Sequence, residues 1–203
     1  EQLDADSQRN AFDQLYNHFE RRPDKSDADV QNISDISNRI EMMRALLGAG
    51  KLDAAAQFYN NRLVDLIVQN LANYRLGIQL LTPLFPAGLD QLPHLSSPSD
   101  QSAALNNLAA LMQYTGQTTA ATRLKELKLK VDIDRKDGAN LAIGLENYGT
   151  SLQNDNRLAR AERVYQVALQ VSQVASSTDT AAWAHLRLLG LYAETGQWAQ
   201  AEA

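Results

Sequence analysis

Apolar residues recur at three- and four-residue spacing along most of the chain. Ile143, Leu145, Tyr148 and Leu152 form one such run, and similar runs are separated by short gaps that hold Gly, Asn or Asp. This spacing places the apolar side chains on one face of an α-helix. No segment alternates apolar and polar residues for long enough to indicate a β-strand. The pattern therefore predicts an all-α fold.

Prolines mark the one long interruption of this pattern. Four of the five prolines lie in residues 83–100. Because proline lacks a backbone N–H and disfavours helix in the residue before it, we expect a non-helical connection there. The fifth, Pro23, is expected to end an amphipathic N-terminal helix over residues 6–22. An additional helix is predicted over residues 71–82, and it is apolar enough that it should pack on its neighbours.

A sequence pattern recurs with even spacing in three segments, which begin at Ser102, Ala142 and Ala182. A fourth segment, residues 36–69, follows the same order at a different offset. The predicted domains are residues 1–82 with one repeat and the extra helix, the connection 83–100, and residues 101–203 with the 40-residue repeats, the last of them truncated. The matching residues are Leu108, Tyr148 and Leu188 at position seven, Gly116, Asn156 and Gly196 at position fifteen, and Ala121, Ala161 and Ala201 at position twenty.

The pattern resembles the tetratricopeptide repeat (TPR), through the large–small pairs Leu108-Ala109 and Tyr148-Gly149 and the turn Gly196-Gln197-Trp198. The resemblance implies an α-solenoid of antiparallel helical hairpins in a right-handed superhelix. A small residue at position eight would let the two helices of a hairpin approach closely. The period is longer than the roughly 34 residues that are common in the family. We expect the additional residues between the second helix of one hairpin and the first helix of the next, as in TPRs of the kinesin light-chain type.

A narrower resemblance covers residues 48–203, which look like the C-terminal TPR region of large bacterial signalling proteins that carry a STAND-type NTPase. The most specific parts are Leu141–Leu145 and the helix that ends in Leu84-Phe85-Pro86. The sequence begins in a segment that looks like the second helix of a hairpin, and it stops partway through another second helix. We therefore expect it to be a piece of a longer array.

Composition and charge argue against several classes of function. The 203 residues include 19 Lys and Arg against 24 Asp and Glu, for a net charge of −5, and no cysteine. This balance disfavours a nucleic-acid partner, and the absence of cysteine excludes disulfide scaffolds and thiolate zinc sites. No apolar run is long enough to span a membrane, and no signal peptide is evident. The sequence therefore predicts a cytoplasmic protein with neither a nucleic-acid nor a membrane partner.

No motif indicates catalysis. Gly48-Ala-Gly-Lys51 lacks the first glycine and the Ser or Thr of a phosphate-binding loop, so it is interpreted as a turn between helices. His18, His94 and His185 are not at metal-ligand spacing, and His185 is expected in a helix interface. The pair Asp132 and Asp134 lies in a mixed charge run that is typical of a solvated helix end. We expect no enzymatic activity, no cofactor and no metal.

The TPR resemblance implies a concave surface that is lined by positions two, five, six, nine, twelve and thirteen of each first helix. Amides are frequent there, and they can hold an extended peptide backbone or simply face water. The surface lacks the Lys and Arg set of a carboxylate clamp, which favours an uncharged or mixed peptide. The candidate partner-binding residues are Asn106, Asn107, Gln113, Tyr114, Glu146, Asn147, Gln153, Asn154, Trp183 and Arg187.

The two tryptophans receive different predictions. Trp198 is expected to pack in the core, whereas Trp183 either packs or binds a partner. The favoured function is a protein–protein interaction module that binds a peptide or protein, with adjacent domains of a longer chain as further possible partners. Three other hypotheses stay open: a ligand-sensing region of a larger STAND-type NTPase, an enzyme, whose mark would be a pocket with convergent titratable groups, and self-association through uncapped ends.

Overall fold

The computed structural model describes residues 4–201, which form helices and no β-strand. The all-α, helical-repeat class predicted from the sequence is confirmed. Three short 3-10 turns (Asp27–Asp29, Ile33–Ile36 and Thr82–Leu84) and a π-turn (Leu66–Asn70) lie between the first helices. The α-helices are α1 Ala5–Glu20, α2 Ser37–Gly48, α3 Leu52–Arg62, α4 Tyr74–Leu81, α5 Pro98–Tyr114, α6 Thr118–Asp134, α7 Gly138–Asn154, α8 Leu158–Val174, α9 Thr178–Glu194 and α10 Trp198–Ala201.

From α5 onward the helices follow one another at a constant interval. Helices α5 to α9 each contain 17 residues. They begin at positions 98, 118, 138, 158 and 178, so every connection between them is three residues long. The sequence-based prediction that the additional residues lie between hairpins is therefore wrong. They belong to the helices themselves, because the connections inside a hairpin and between hairpins are equally short.

The three-residue turns share one backbone geometry, whether they lie inside a predicted repeat or between two repeats. The middle residue of each has a positive φ, at Gly116, Lys136, Asn156, Ser176 and Gly196. In the last four turns the next N–H donates to a carbonyl five residues earlier, as in Arg157 N to Leu152 O at 2.8 Å. This is the Schellman ending of a helix. Sequence inspection found the turns with Gly or Asn and missed those at Lys136 and Ser176, because neither residue signals a left-handed conformation.

The chain divides into two compact units, Glu1–Thr115 and Gly116–Ala203. In the first unit, α1 packs on α2, α2 on α3, and α5 on both α3 and α4. Arg39 of α2 is buried and donates to the carboxylates of Asp24 and Asp27, at 2.5 and 2.6 Å, and to the carbonyl of Lys25 at 2.8 Å. The guanidinium group therefore ties the segment after α1 to the repeat helices.

The predicted extra helix is part of the core of the first unit. It begins at Tyr74 rather than at residue 71, because the π-turn occupies the chain before it. Its Gly77 lies so close to Leu111 of α5 that a Cβ there would be 2.7 Å from a leucine methyl group. Most of the apolar residues that were expected to pack are buried: Leu76, Leu80, Leu81, Leu84 and Phe85. Ile78 is half-buried.

In the second unit, α7 packs between α6 and α8, and α9 packs on α8 and α7. The small residue at position eight has the role that the resemblance implies. A Cβ on Gly149 would lie 2.5 Å from the ring of Tyr165 on α8, and that ring is fully buried. Ala161 is also fully buried, so the two helices meet closely. The core consists of Tyr148, Leu152, Ala161, Tyr165, Leu188 and Leu191.

Two predictions for buried residues in the second unit are wrong. Trp198 is 62% exposed instead of packed in the core; it is the first residue of α10, which packs on α9. His185 is exposed instead of lying in a helix interface. Its side chain stands on a cleft that is lined by Leu169, Leu186 and Leu189.

Candidate functional site

The candidate residues on α5 make contacts inside the first unit. Asn107 donates from its side chain to the Asn60 side-chain oxygen at 2.8 Å, which links α5 to α3. Tyr114 is exposed, but one face of its ring stacks on Tyr74 with the ring centroids 4.7 Å apart. Asn106 and Gln113 are half-buried on the same helix. The structure therefore uses Asn107 and Tyr114 to join helices.

Four residues of α7 and α9 meet along one surface of the second unit. Arg187 Nε donates to Glu146 Oε1 at 2.7 Å, and Gln153 Nε2 donates to Glu194 Oε2 at 2.7 Å. In both pairs the partners are 41 residues apart in sequence, so the two helices run parallel and in register. The structure thus brings together Glu146, Gln153 and Arg187 with Glu194, which is at position thirteen of its repeat and so belongs to the predicted concave positions.

The surface also includes apolar side chains. Ile143 precedes Glu146 by one helical turn, and Trp183 precedes Arg187 by one turn, so both belong to the same end of the parallel pair. Ile143 is 43% exposed and Trp183 is 57% exposed. Exposure of the indole favours the binding alternative for Trp183 over the packing alternative. We call the surface formed by Ile143, Glu146, Gln153, Trp183, Arg187 and Glu194 the α7–α9 face.

Tyr165 of α8 is buried next to the α7–α9 face and forms hydrogen bonds with residues of α7. Its hydroxyl is 3.0 Å from Gln153 Oε1 and 3.2 Å from Thr150 Oγ1. Gln153 therefore accepts from Tyr165 with its oxygen and donates to Glu194 with its nitrogen, which holds the amide in one orientation. Burial raises the pKa of Tyr165, so its hydroxyl remains a donor into more alkaline solution than that of an exposed tyrosine.

A buried lysine lies under Glu146. Lys125 of α6 donates to Ser151 Oγ at 2.5 Å and to the carbonyl of Asn147 at 3.0 Å. Burial lowers its pKa to about 8, while the charges of Glu146 and Asp155 oppose that shift. Asn147 is half-buried and contributes its backbone carbonyl to this contact, whereas Asn154 is exposed at the end of α7.

The prediction that Asp132 lies at a solvated helix end is wrong, because Asp132 is paired with a second buried cation, Lys128. Asp132 was expected at a solvated helix end, but it is fully buried and accepts from Lys128 Nζ at 2.5 Å. Arg135 lies 3.7 Å from the other carboxylate oxygen. The side chains fit because position 144 is glycine, where a Cβ would lie 2.9 Å from Lys128 Nζ. Lys128 and Asp132 are four residues apart, the spacing typical of ion pairs within a helix. This spacing could have indicated the pair from the sequence.

The described residues have few features that would suggest metal chemistry. Within residues 4–201 no group of three or more His, Asp or Glu side chains is placed to hold a metal ion. No helix in that range combines the length and apolar character needed to cross a bilayer. The charged groups of the α7–α9 face pair with one another or with neutral groups, an arrangement suited to molecular contact.

These features define a helical-repeat protein built from antiparallel hairpins of the TPR-like kind. Its fold is similar to that of BtubC (BKLC) from P. vanneervenii, with a TM-score of 0.51 and 15% identity over 98% of this chain and 70% of that one. It is also similar to a Podosopora anserina protein described as a kinesin light chain with nearly identical TPR-like repeats. There the TM-score is 0.50 and the identity 12%, over 98% of this chain and 82% of the other.

These likenesses concern the fold alone. No protein-family model matches the sequence, and no curated protein matches it. The helical-repeat architecture is thus shared with TPR-like proteins at a level of identity where binding residues do not transfer from one chain to another.

Proposed function

We propose that this chain is a protein–protein interaction module and that the α7–α9 face is its binding surface for a peptide or a protein segment. The observation that carries the proposal is the combination of an exposed Trp183 with polar side chains that are already held in place. Arg187 is bound to Glu146, and Gln153 is held between Tyr165 and Glu194. No catalytic role, cofactor or metal is part of the proposal.

Physical reasons favour this surface for binding. Tryptophan is among the residues that contribute most to protein interfaces, because its large ring buries apolar area with little loss of side-chain entropy. Side chains that are fixed before binding lose less entropy when a partner arrives. A solenoid hairpin also presents its helices on a continuous surface that an extended segment can follow. The α5 residues Asn106, Asn107, Gln113 and Tyr114 remain a further predicted contact area.

Peptide display on the full chain tests the proposal. Peptides selected from a random library should bind with Kd values in the micromolar range, and Trp183→Ala should weaken them by about tenfold or more. Val174→Ala is a matched control, because Val174 is an exposed apolar residue on α8, outside the α7–α9 face. Selected peptides that bind both variants alike would place the binding surface elsewhere, and a library without any selected peptide would contradict the proposal.

A regulatory role beside a STAND-type NTPase is the second candidate, and it depends on the sequence resemblance alone. In that role the partner would have to bind one state of the larger protein more tightly than another, since a ligand shifts an equilibrium only by its difference in affinity. A nucleotide-binding domain encoded upstream in the same reading frame would favour this role. A reading frame without one would favour a separate adaptor.

A further inference from the structure

The charges of the α7–α9 face do not balance. Glu146 is matched by Arg187, and the buried Lys125 lies close enough for its charge to act on both Glu146 and Asp155. At neutral pH these two cations and two carboxylates sum to zero. Glu194 adds one negative charge, and the contact it makes is with the neutral amide of Gln153. Among the six residues that define the face, Glu194 is therefore the charge that no opposite charge of the face matches, and it lies at the C-terminal end of α9.

The apolar part of the face lies at the opposite end. Trp183 and Ile143 stand near the N-terminal ends of α9 and α7, and the Glu146–Arg187 pair separates them from Glu194. Eleven positions separate Trp183 from Glu194, which corresponds to about 16 Å along a helix at about 1.5 Å per residue. An extended peptide advances about 3.3 Å per residue, so about five peptide residues cover that distance.

We infer that the α7–α9 face selects an extended peptide segment that has an apolar or aromatic side chain at one position and Lys or Arg about five positions away. The apolar side chain would pack on Trp183 and Ile143. The cation would bind the Glu194 carboxylate, whose two oxygens together can accept several hydrogen bonds, of which Gln153 supplies one. This inference rests on the proposed function, since it names the class of partner for the same face.

Three features of the face support a basic rather than an acidic partner. Glu194 is the carboxylate that remains after Glu146 is paired with Arg187. A cation that binds Glu194 gains a charge-assisted hydrogen bond. Arg187 is already bound to Glu146 at 2.7 Å, so an acidic partner would have to compete with that contact. The charges that act on the hydroxyl of Tyr165 below the face are one cation, Arg187, and two carboxylates, Glu146 and Glu194.

Synthetic peptides test the inference with the full chain, and a length of about 12 residues covers the face in extended form. Each peptide carries one Trp or Leu, and the position five residues away is Lys, Gln or Glu. We expect the Lys peptide to bind about five- to tenfold more tightly than the Glu peptide, a difference typical of one partly exposed charge pair. The preference should weaken as the salt concentration rises. Moving the Lys to two residues from the Trp should remove its advantage.

Charge reversal on the protein provides the second arm. Glu194→Lys should reverse the order, so that the Glu peptide binds more tightly, and Glu194→Gln should leave the three peptides nearly equal. Asp134→Lys is the matched control, because it makes the same charge change at an exposed position of α6 outside the face. It should leave the order unchanged. Circular dichroism of each variant verifies that the helices remain folded.

The outcomes separate this inference from the proposed function. Equal affinity for the three peptides, a preference for Glu, or an unchanged preference in Glu194→Lys overturns the inference. If binding still depends on Trp183 in those cases, the proposed function stands. If no peptide binds in a manner that depends on Trp183, the proposed function fails and the inference fails with it.

Discussion

At the scale of single residues, the second unit is unusual for its buried charges. Lys125, Lys128 and Asp132 are all on α6 and all nearly inaccessible to solvent. Each is hydrogen-bonded, so the free-energy cost of burial is partly offset. Lys128 donates to the carboxylate of Asp132, and Lys125 donates to the Ser151 hydroxyl and the Asn147 carbonyl.

We predict that Lys125→Met raises the free energy of unfolding at pH 7. Burial lowers the folded-state pKa of Lys125 from its ordinary value of 10.5 to about 8. Below pH 8 both states carry the proton, and the folded state bears the net cost of burying the charge, which Glu146 and Asp155 reduce. Between pH 8 and 10.5 the unfolded state binds more protons, so stability rises with pH. Between these two pKa values the wild type gains up to about 3.4 kcal/mol of stability from this group, and the variant should lack that gain.

Urea unfolding at several pH values measures this effect. Taking the difference between the wild type and the variant removes the contribution of tyrosines, whose ionisation also changes stability at high pH. Lys130→Met serves as the control, because Lys130 is exposed on the same helix. Lys130→Met should retain the wild-type dependence of the free energy of unfolding on pH. A Lys125→Met variant that is less stable at pH 7 and keeps the wild-type slope would show that its hydrogen bonds outweigh the cost of burial.

At the scale of elements, close helix contacts depend on individual glycines. Gly149 and Gly190 both lie inside 17-residue helices, α7 and α9. A Cβ at position 149 would lie 2.5 Å from the Tyr165 ring, whereas a Cβ at position 190 meets no atom within 4 Å. The two glycines therefore offer a matched comparison of one substitution in crowded and in open surroundings.

We predict opposite effects for alanine at these two glycines. Gly149→Ala should lower the free energy of unfolding by about 2 kcal/mol, since the buried Tyr165 ring must move to make room. Gly190→Ala should raise it by about 0.5 to 1 kcal/mol, since alanine loses less backbone entropy in a helix. Denaturant midpoints measure both changes. Equal effects of the same sign would mean that the α7–α8 contact is looser than its geometry indicates.

At the scale of the whole molecule, the contacts concentrate within the two units, Glu1–Thr115 and Gly116–Ala203. Within the second unit each helix packs mainly on its neighbours in sequence. The stability of such an array is a sum of local terms and nearest-neighbour terms. A local defect is therefore expected to act first on the helices of its own unit.

Hydrogen exchange on the full chain can examine this expectation. In Gly149→Ala, backbone amides of α7, α8 and α9 should exchange faster, while amides of α2, α3 and α4 should keep their wild-type rates. The reason is that the substitution disturbs the contact of Gly149 with Tyr165, and both residues belong to the second unit. Faster exchange by the same factor in all helices would indicate that the chain unfolds as one cooperative unit.

Much of the architecture could be predicted from local patterns. Apolar spacing predicts the helices because the 3.6-residue period is a property of each segment alone. The 40-residue interval and the small residue at position eight predict the stacked hairpins, and the close approach of Gly149 to Tyr165 follows that prediction. For the candidate site, position within the helix was enough to bring Glu146, Gln153 and Arg187 onto one surface.

Tertiary structure alone decided the remaining features, because they depend on partners that are distant in sequence. The burial of Lys125 and Asp132 depends on α7, which supplies a hydroxyl, carbonyls and the space beside a glycine. The charge balance of the α7–α9 face depends on a register of 41 residues between two helices. A sequence specifies the composition of each helix face, but which charges meet is determined only when the faces are packed together.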